Sequence, residues 1–200
     1  MRTRPRLACR RMRSTLEQVF DVPAERLWAL YFFHEAHGRA LSEHLGLRVL
    51  DDQLQHEGAG PRLIVRRQLR VVSQRELPPV LRRLVSGALV MQETGEFNAE
   101  RRRYSVRIEL PLVGGLVECG SDFTWDNLPG GQMRRLWEGC CTAKVPLVGA
   151  RIERAILGEL AATIARSHAF TSRWLRDHPE APVVAGVAEA APDHGALKAL

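Results

Sequence analysis

The sequence predicts an α+β fold in which a curved antiparallel sheet of six to seven strands wraps around one long C-terminal helix. Runs of alternating apolar and polar residues, typical of strands with one buried face, fill most of residues 47–146. The short turns between these runs predict neighbouring antiparallel strands. From Val148 to His178 the chain has no proline and repeats apolar residues every three or four positions, as a long amphipathic helix does. The space between sheet and helix is the expected place for a ligand.

Length and composition are those of a single globular domain. The 200 residues are 45% hydrophobic and 26% charged, ordinary values that exclude a disordered or fibrous class. Six of the 29 basic residues are Arg residues within 1–13, a stretch that contains no acid, so the rest of the chain has 23 basic and 23 acidic residues. The net charge of +6 therefore belongs to the N-terminus, and the predicted folded body is formally neutral.

The two ends of the chain are predicted to lie outside the domain. Residues 1–13 form an Arg-rich tail in which no aromatic residues alternate with the Arg residues to stack on bases, so nucleic-acid binding is not expected. Contact of this tail with an anionic membrane surface is a secondary hypothesis. Residues 14–178 are predicted to be the domain, and the Ala- and Pro-rich residues 179–200 a disordered tail.

The sequence predicts a cytoplasmic protein with reduced thiols. No apolar run reaches the ~18 residues of a membrane span, and no apolar segment follows the basic start as it does in a signal peptide. The four cysteines lack the CxxC spacing of a zinc site, and nothing indicates a disulfide framework.

The first third of the chain predicts a strand, two helical segments and a hairpin. A short strand (14–20) leads into a helix that Asp21, Pro23 and Glu25 introduce, and a second helical segment covers 38–47. Residues 47–57 and 62–73 alternate on either side of a Gly/Pro turn, as the strands of a hairpin do. One face of the second strand carries Leu63, Val65, Leu69 and Val71, with Arg67 among them.

The remaining strands lead to the C-terminal helix. A double proline predicts a short helix or ordered loop within 76–87. Strand-like runs follow at 89–99, 101–111, 116–127 and 132–146. The apolar face of the last helix is predicted to carry Ile152, Ile156, Leu160, Thr163, Ser167, Phe170 and Trp174. Gly158 lies in the middle of this helix, which suggests a close approach or a bend because Gly costs about 1 kcal/mol there relative to Ala.

Two stretches, ELPLVGGLVE at 109–118 and KVPLVGARIE at 144–153, share Pro, Leu, Val, Gly and Glu in register. In both, proline ends a strand-like run and a Gly-containing turn redirects the chain. The first copy is expected to return to the sheet and the second to start the long helix, with Glu153 in its first turn. No similarity extends beyond the ten residues, so reuse of a turn is favoured over internal duplication.

The second copy also carries a family resemblance. KVPLVGARIERAI, followed by a helix that ends in WLRDH, resembles an uncharacterised bacterial family within the START-like superfamily, which includes birch-pollen-allergen-like proteins and polyketide cyclases. The DVPAERLWAL segment is similar to the start of many such domains. The resemblance implies a helix-grip fold and an internal cavity that binds a lipid, a sterol, a polyketide or a similar hydrophobic molecule.

Residues on the expected inner faces are the candidate ligand contacts. Arg67, Glu93 and Tyr104 are the polar members, and an inward Arg67 would pair with Glu93 or hold a ligand carboxylate. A strand register shifted by one residue would instead turn all three towards water. The full candidate set is Val65, Arg67, Glu93, Phe97, Tyr104, Ile108, Phe123, Trp125, Trp137, Ile156 and Leu160.

No motif predicts catalysis or a cofactor. Walker-type, GxGxxG and GxSxG loops are missing from the sequence. The FHEAHG segment places His34, Glu35 and His37 one residue short of an HExxH zinc motif, with His44 further on, and these residues are expected at the surface or beside a loop.

The sequence is compatible with three functions. The first is a carrier or sensor that binds a hydrophobic small molecule. The second is a cyclase- or dehydratase-type enzyme that uses Glu93 or Tyr104 as acid or base. The third is a protein-interaction module with a filled core and no cavity.

Overall fold

Seven antiparallel strands form one sheet, in the order β1-β7-β6-β5-β4-β3-β2. The computed structural model describes residues 12–82, 88–110 and 117–179. The strands are β1 (Met12–Phe20), β2 (Leu47–Glu57), β3 (Ile64–Ser73), β4 (Val90–Asn98), β5 (Arg103–Glu109), β6 (Val117–Asn127) and β7 (Met133–Ala143). The helices are α1 (Ala24–Phe33), α2 (Glu35–His44), α3 (Pro79–Arg82) and α4 (Gly149–Asp177). The predicted α+β class and helix-grip architecture are confirmed.

Short turns join β4 to β5 and β6 to β7, whereas residues 74–89, which include α3, connect β3 to β4. Between β4 and β5, the Asn98 side-chain oxygen accepts a hydrogen bond from the Arg101 backbone N–H at 2.9 Å. Between β6 and β7, Gly130 and Gly131 have φ of 80° and 78°, values that favour glycine. β1 is the exception to sequential order, since it pairs with the last strand.

The helices cover the concave face of the sheet. The 29 residues of α4 correspond to about 43 Å of helix, and α4 packs on β7 and β1. Helix α1 contacts β6, and α2 contacts both β2 and α4. The core therefore lies between the concave face and three helices, in the space where a ligand was expected.

The second PLVG stretch forms the corner between β7 and α4. Glu153 is the fifth residue of α4, not a first-turn residue as predicted, and it is buried. Its side chain accepts a hydrogen bond from the Ala143 backbone N–H at 2.9 Å. Gly149 packs so closely that a Cβ would lie 2.5 Å from the Ala143 carbonyl oxygen. The motif thus joins the end of the last strand to the start of the helix.

Three local predictions differ from the structure. β1 begins at Met12, inside the predicted tail, and Met12 and Arg13 pair with β7. Helix α2 begins at Glu35 because the His34 ring accepts a hydrogen bond from the His37 backbone N–H at 3.1 Å. Gly158 is exposed, and a Cβ there would meet nothing within 4 Å, so the expected close approach is wrong.

Some predictions concern residues outside the described ranges. These are the Arg-rich tail up to residue 11, the end of the 76–87 segment, the turn at 111–116, and the Ala/Pro-rich stretch from residue 180. Within the described part of the chain, every helix is too short or too polar to cross a membrane.

Candidate functional site: the concave face of the sheet

Strand pairing brings five of the predicted site residues into one row across the concave face. Each residue in the row pairs directly with the next, from β3 to β7. The row is Val65, Phe97, Tyr104, Phe123 and Trp137. Four of them are buried and Tyr104 is half-buried. The predicted strand register is therefore correct.

Two further rows of directly paired residues run beside the row from Val65 to Trp137. One contains Arg67 and Gly95, and the Tyr104 ring lies across Gly95, where a Cβ would be only 2.5 Å from the phenol oxygen. The other contains Glu93 and Ile108, which pair directly. Arg67, Glu93 and Tyr104 thus belong to one patch on the inner face.

Helix α1 covers this patch with aromatic side chains that the sequence analysis did not select. Trp28 is buried, and its ring centroid lies 4.9 Å from that of Trp125, 5.2 Å from Phe97 and 5.7 Å from Tyr104. Phe32 lies 5.3 Å from Tyr104. Trp28 and Phe32 are four residues apart on one helix, the spacing that places two side chains on the same face.

Arg67 pairs with Asp52 and not with Glu93. Its Nε and Nη2 atoms donate to the two carboxylate oxygens of Asp52 at 2.8 and 2.6 Å. Of the two roles considered for an inward Arg67, the ion pair with Glu93 is not formed in the described structure. Burial works against the charged guanidinium, but the hydrogen bonds and charge of Asp52 hold the pKa of Arg67 above its ordinary value.

Within the described structure, Glu93 and Tyr104 lack a side-chain partner comparable to the one that Asp52 provides for Arg67. Neither side chain hydrogen-bonds or ion-pairs with another described residue, and both are half-buried. Burial raises the pKa of Glu93, and the charge of Arg67 opposes that rise. Burial and the negative charge of Glu93 raise the pKa of Tyr104. Tyr104 is thus a neutral hydrogen-bond donor, and Glu93 has a stronger tendency than usual to hold a proton.

A second polar cluster, which the sequence analysis missed, surrounds Arg135 on β7. Arg135 is only 2% exposed, and its Nε and Nη2 atoms donate to the Gln18 side-chain oxygen at 3.0 and 2.6 Å. The guanidinium carbon lies 4.8 Å from the ring centroid of Phe20 and 5.3 Å from that of Phe123. Among described residues, no carboxylate lies within ion-pair distance of Arg135. Aromatic faces and one amide therefore stabilise this buried cation.

Hydroxyl groups connect the Arg135 cluster to side chains of α1, α2 and α4. The Tyr31 hydroxyl lies 2.7 Å from the Ser167 hydroxyl, and the Thr171 hydroxyl lies 3.2 Å from Nε2 of His37. Burial raises the pKa of Tyr31, but the charge of Arg135 and the neighbouring hydrogen bonds outweigh it and lower that pKa. Burial, together with the charge of His34, lowers the pKa of His37 to about 4.

The histidines of the FHEAHG segment have structural contacts within the helices. His37 is fully buried, which corrects its predicted place at the surface, and His34 caps helix α2. In the ranges the structure describes, no three His, Cys, Asp or Glu side chains come together as metal ligands. His37 instead belongs to the polar cluster that ends at Arg135.

The remaining predicted site residues occupy different places. Trp125 and Ile156 are buried in the core, and Leu160 is partly buried against it. An open cleft of about 710 Å³ lies at the ends of β3 to β6, and Ile108 is the one candidate residue among its described lining residues. This cleft does not include the Arg67–Glu93–Tyr104 patch.

Comparison with known proteins gives a family and a fold. A family model described as "Protein of unknown function (DUF2505)" matches residues 15–175. Protein Ms6760 from Mycobacterium smegmatis has a similar structure, with 13% identity, a TM-score of 0.51, and coverage of 82% of this chain and 91% of its own. That likeness shows the fold and agrees with the resemblance inferred from the sequence. No curated protein matches the sequence.

Two other solved structures are similar at a lower level. The Zhui aromatase/cyclase from Streptomyces sp. R1128 has 11% identity and a TM-score of 0.48, and the match covers 88% of this chain and 98% of that one. TTHA0849 from Thermus thermophilus has 12% identity and a TM-score of 0.49, with coverage of 80% of this chain and 96% of that one.

Proposed function

The chain belongs to the DUF2505 family of proteins of unknown function, and we propose that it binds a hydrophobic small molecule against the concave face of its sheet. The observation that carries this proposal is the pair Glu93 and Tyr104. Both are polar, half-buried and without a hydrogen bond to another described residue, whereas Arg67 beside them is already paired with Asp52. The side chains around them are largely aromatic and aliphatic. The polar group of the ligand contacts this pair, and its apolar part packs on the surrounding rings.

The chemistry of the pair restricts the ligand. Tyr104 donates a hydrogen bond through its hydroxyl, and the Glu93 carboxyl accepts a second one, or donates it when it holds a proton. Two of the Arg67 nitrogens already donate hydrogen bonds to Asp52. Arg67 therefore contributes positive charge near the site, but these two nitrogens do not bind a ligand carboxylate. A ligand with a hydroxyl or carbonyl oxygen therefore fits the site better than a pure hydrocarbon does.

The apolar surroundings provide enough free energy for binding without catalysis. Removing roughly 300 Å² of ligand surface from water contributes about 7 kcal/mol before the costs of association. Hydrogen bonds to Glu93 and Tyr104 add about 1 kcal/mol each, because these groups otherwise remain partly desolvated without a partner. These terms sum to about 9 kcal/mol, and an association cost of at least about 4 kcal/mol leaves about 5 kcal/mol, which corresponds to a Kd of about 0.2 mM. A ligand that buries a larger apolar surface binds more tightly.

Tryptophan fluorescence provides a direct test, because the Trp28 and Trp125 rings lie beside Tyr104 and Phe97. Delipidated protein is titrated with a fatty alcohol, a sterol and an aromatic polyketide, and saturable quenching by at least one of them is expected. Tyr104→Phe, which removes the donating hydroxyl, is expected to weaken that binding about five- to tenfold. Glu93→Gln keeps a donor and an acceptor and is expected to weaken it about two- to threefold.

Glu96→Gln is the matched control for this test. Glu96 lies on the same strand as Glu93 but is exposed on the convex side, where it is 3.7 Å from Arg66. The control variant is expected to bind like the unmodified protein. Equal weakening by Glu96→Gln, or no change in the two site variants, would overturn the assignment of the polar contacts.

A further inference from the structure

We propose that Cys119 and Cys141 are an oxidisable pair that forms a disulfide across β6 and β7. The two residues pair directly in the sheet, and both side chains lie on its concave face. Their sulfur atoms are 3.2 Å apart. In the structure both are reduced thiols.

The backbone geometry already suits such a bond. Directly paired residues of antiparallel strands have Cα atoms about 4.5 or 5.5 Å apart, and disulfides span about 4.4–6.8 Å between Cα atoms. A bond of about 2.05 Å requires each sulfur to move by roughly half an ångström, which small side-chain rotations provide. The strands themselves need not separate.

Cys140, the neighbour of Cys141 in the sequence, is not placed to form the same disulfide. It precedes Cys141 by one position and therefore lies on the opposite face of β7, where its neighbours across the strands are Gly120 and Arg13. Neither neighbour has a sulfur atom. The same strand therefore contains an adjacent cysteine that has no cysteine directly across from it.

Peroxide is the oxidant in the proposed reaction. One thiolate attacks a peroxide oxygen, which forms a sulfenic acid and releases hydroxide that is protonated to water. The second thiolate attacks the sulfenic sulfur, the S–S bond forms, and a second water leaves. Two thiols and one hydrogen peroxide thus yield one disulfide and two waters. Because Cys119 and Cys141 are 2% and 0% exposed, oxidant entry depends on local opening, and the reaction is slow.

The test uses the full chain with Cys9→Ser and Cys140→Ser, which leaves only the proposed pair. After treatment of the folded protein with hydrogen peroxide, the intact mass is expected to fall by about 2 Da, with no thiol left for maleimide after denaturation. The Tm is expected to rise by roughly 5–10 °C, because the bond closes the β6–β7 hairpin in the unfolded chain. A reductant is expected to reverse both changes.

A third substitution, Cys119→Ala, provides the control in this background. Its single remaining thiol is expected to show no mass loss and to react with maleimide after denaturation. Oxygen adducts on both cysteines, in place of a mass loss in the two-cysteine protein, would overturn the proposal. So would a disulfide that forms equally fast in urea, because the folded geometry would then contribute nothing.

Discussion

Arg135→Ala is expected to lower the free energy of unfolding by about 3–5 kcal/mol, the largest effect of any substitution considered. The guanidinium lies among the rings of Phe20, Tyr31 and Phe123, so its removal leaves a cavity in the core. It also leaves the buried Gln18 oxygen without its donor. Urea denaturation measured by far-UV circular dichroism, with the m-value compared between proteins, gives the difference directly.

Arg134→Ala is the matched control for Arg135→Ala. Arg134 is the preceding residue, it is exposed, and it forms an ion pair with Asp126 at 3.0 Å. An exposed pair of this kind contributes about 0–1 kcal/mol. If the two alanine variants were destabilised equally, the buried cluster around Arg135 would not stabilise the fold as described.

Acidification from pH 6.5 towards pH 4 is expected to remove about 2–3 kcal/mol of stability through His37 alone. Its pKa in the folded protein is lowered from the ordinary 6.5 to about 4. Within this window the unfolded chain binds a proton that the folded protein does not, so stability rises with pH and is fully present above about pH 6.5. The buried position beside Thr171 is the physical cause.

Comparison with His37→Gln isolates this contribution from that of the other titrating groups. The amide can hydrogen-bond to Thr171 but does not titrate, so the slope of the unfolding free energy against pH is expected to flatten between about pH 4 and 6.5. The exposed His56 supplies the control, and His56→Gln is expected to keep the original slope. Parallel pH profiles for the unmodified protein and His37→Gln would contradict the account.

The inner faces of the strands could be predicted because period-two alternation depends on neighbouring residues alone. Val65 and Leu69 flank Arg67 on one strand face. Val106 and Ile108 follow Tyr104 on another. This alternation indicated the orientation of both side chains, and strand pairing places both on the inner face. The partner of Arg67 could not be predicted, since Asp52 reaches it across a hairpin whose register shifts at a bulge between Val49 and Asp51. Sequence alternation alone does not locate a bulge of this kind.

The partners of the buried Arg135 could not be predicted from the sequence. Arg135 stands two residues from Met133 and two from Trp137, so strand alternation is consistent with its place on the buried face, but a charged residue at that position was not selected. What the sequence did not show was the set of residues that makes burial of a cation possible. Gln18 and Tyr31 come from β1 and α1, more than a hundred positions away, and only the folded chain brings them together.

Native mass spectrometry of the protein purified from cells tests ligand binding most directly. We expect a stoichiometric bound molecule that organic extraction releases and that is largely apolar, with a hydroxyl or carbonyl oxygen. Loss of that molecule from Tyr104→Phe, with retention in Glu96→Gln, would assign it to the concave face. An apo mass in every preparation, together with no saturable uptake of fatty alcohols, sterols or polyketides by delipidated protein, would contradict the account.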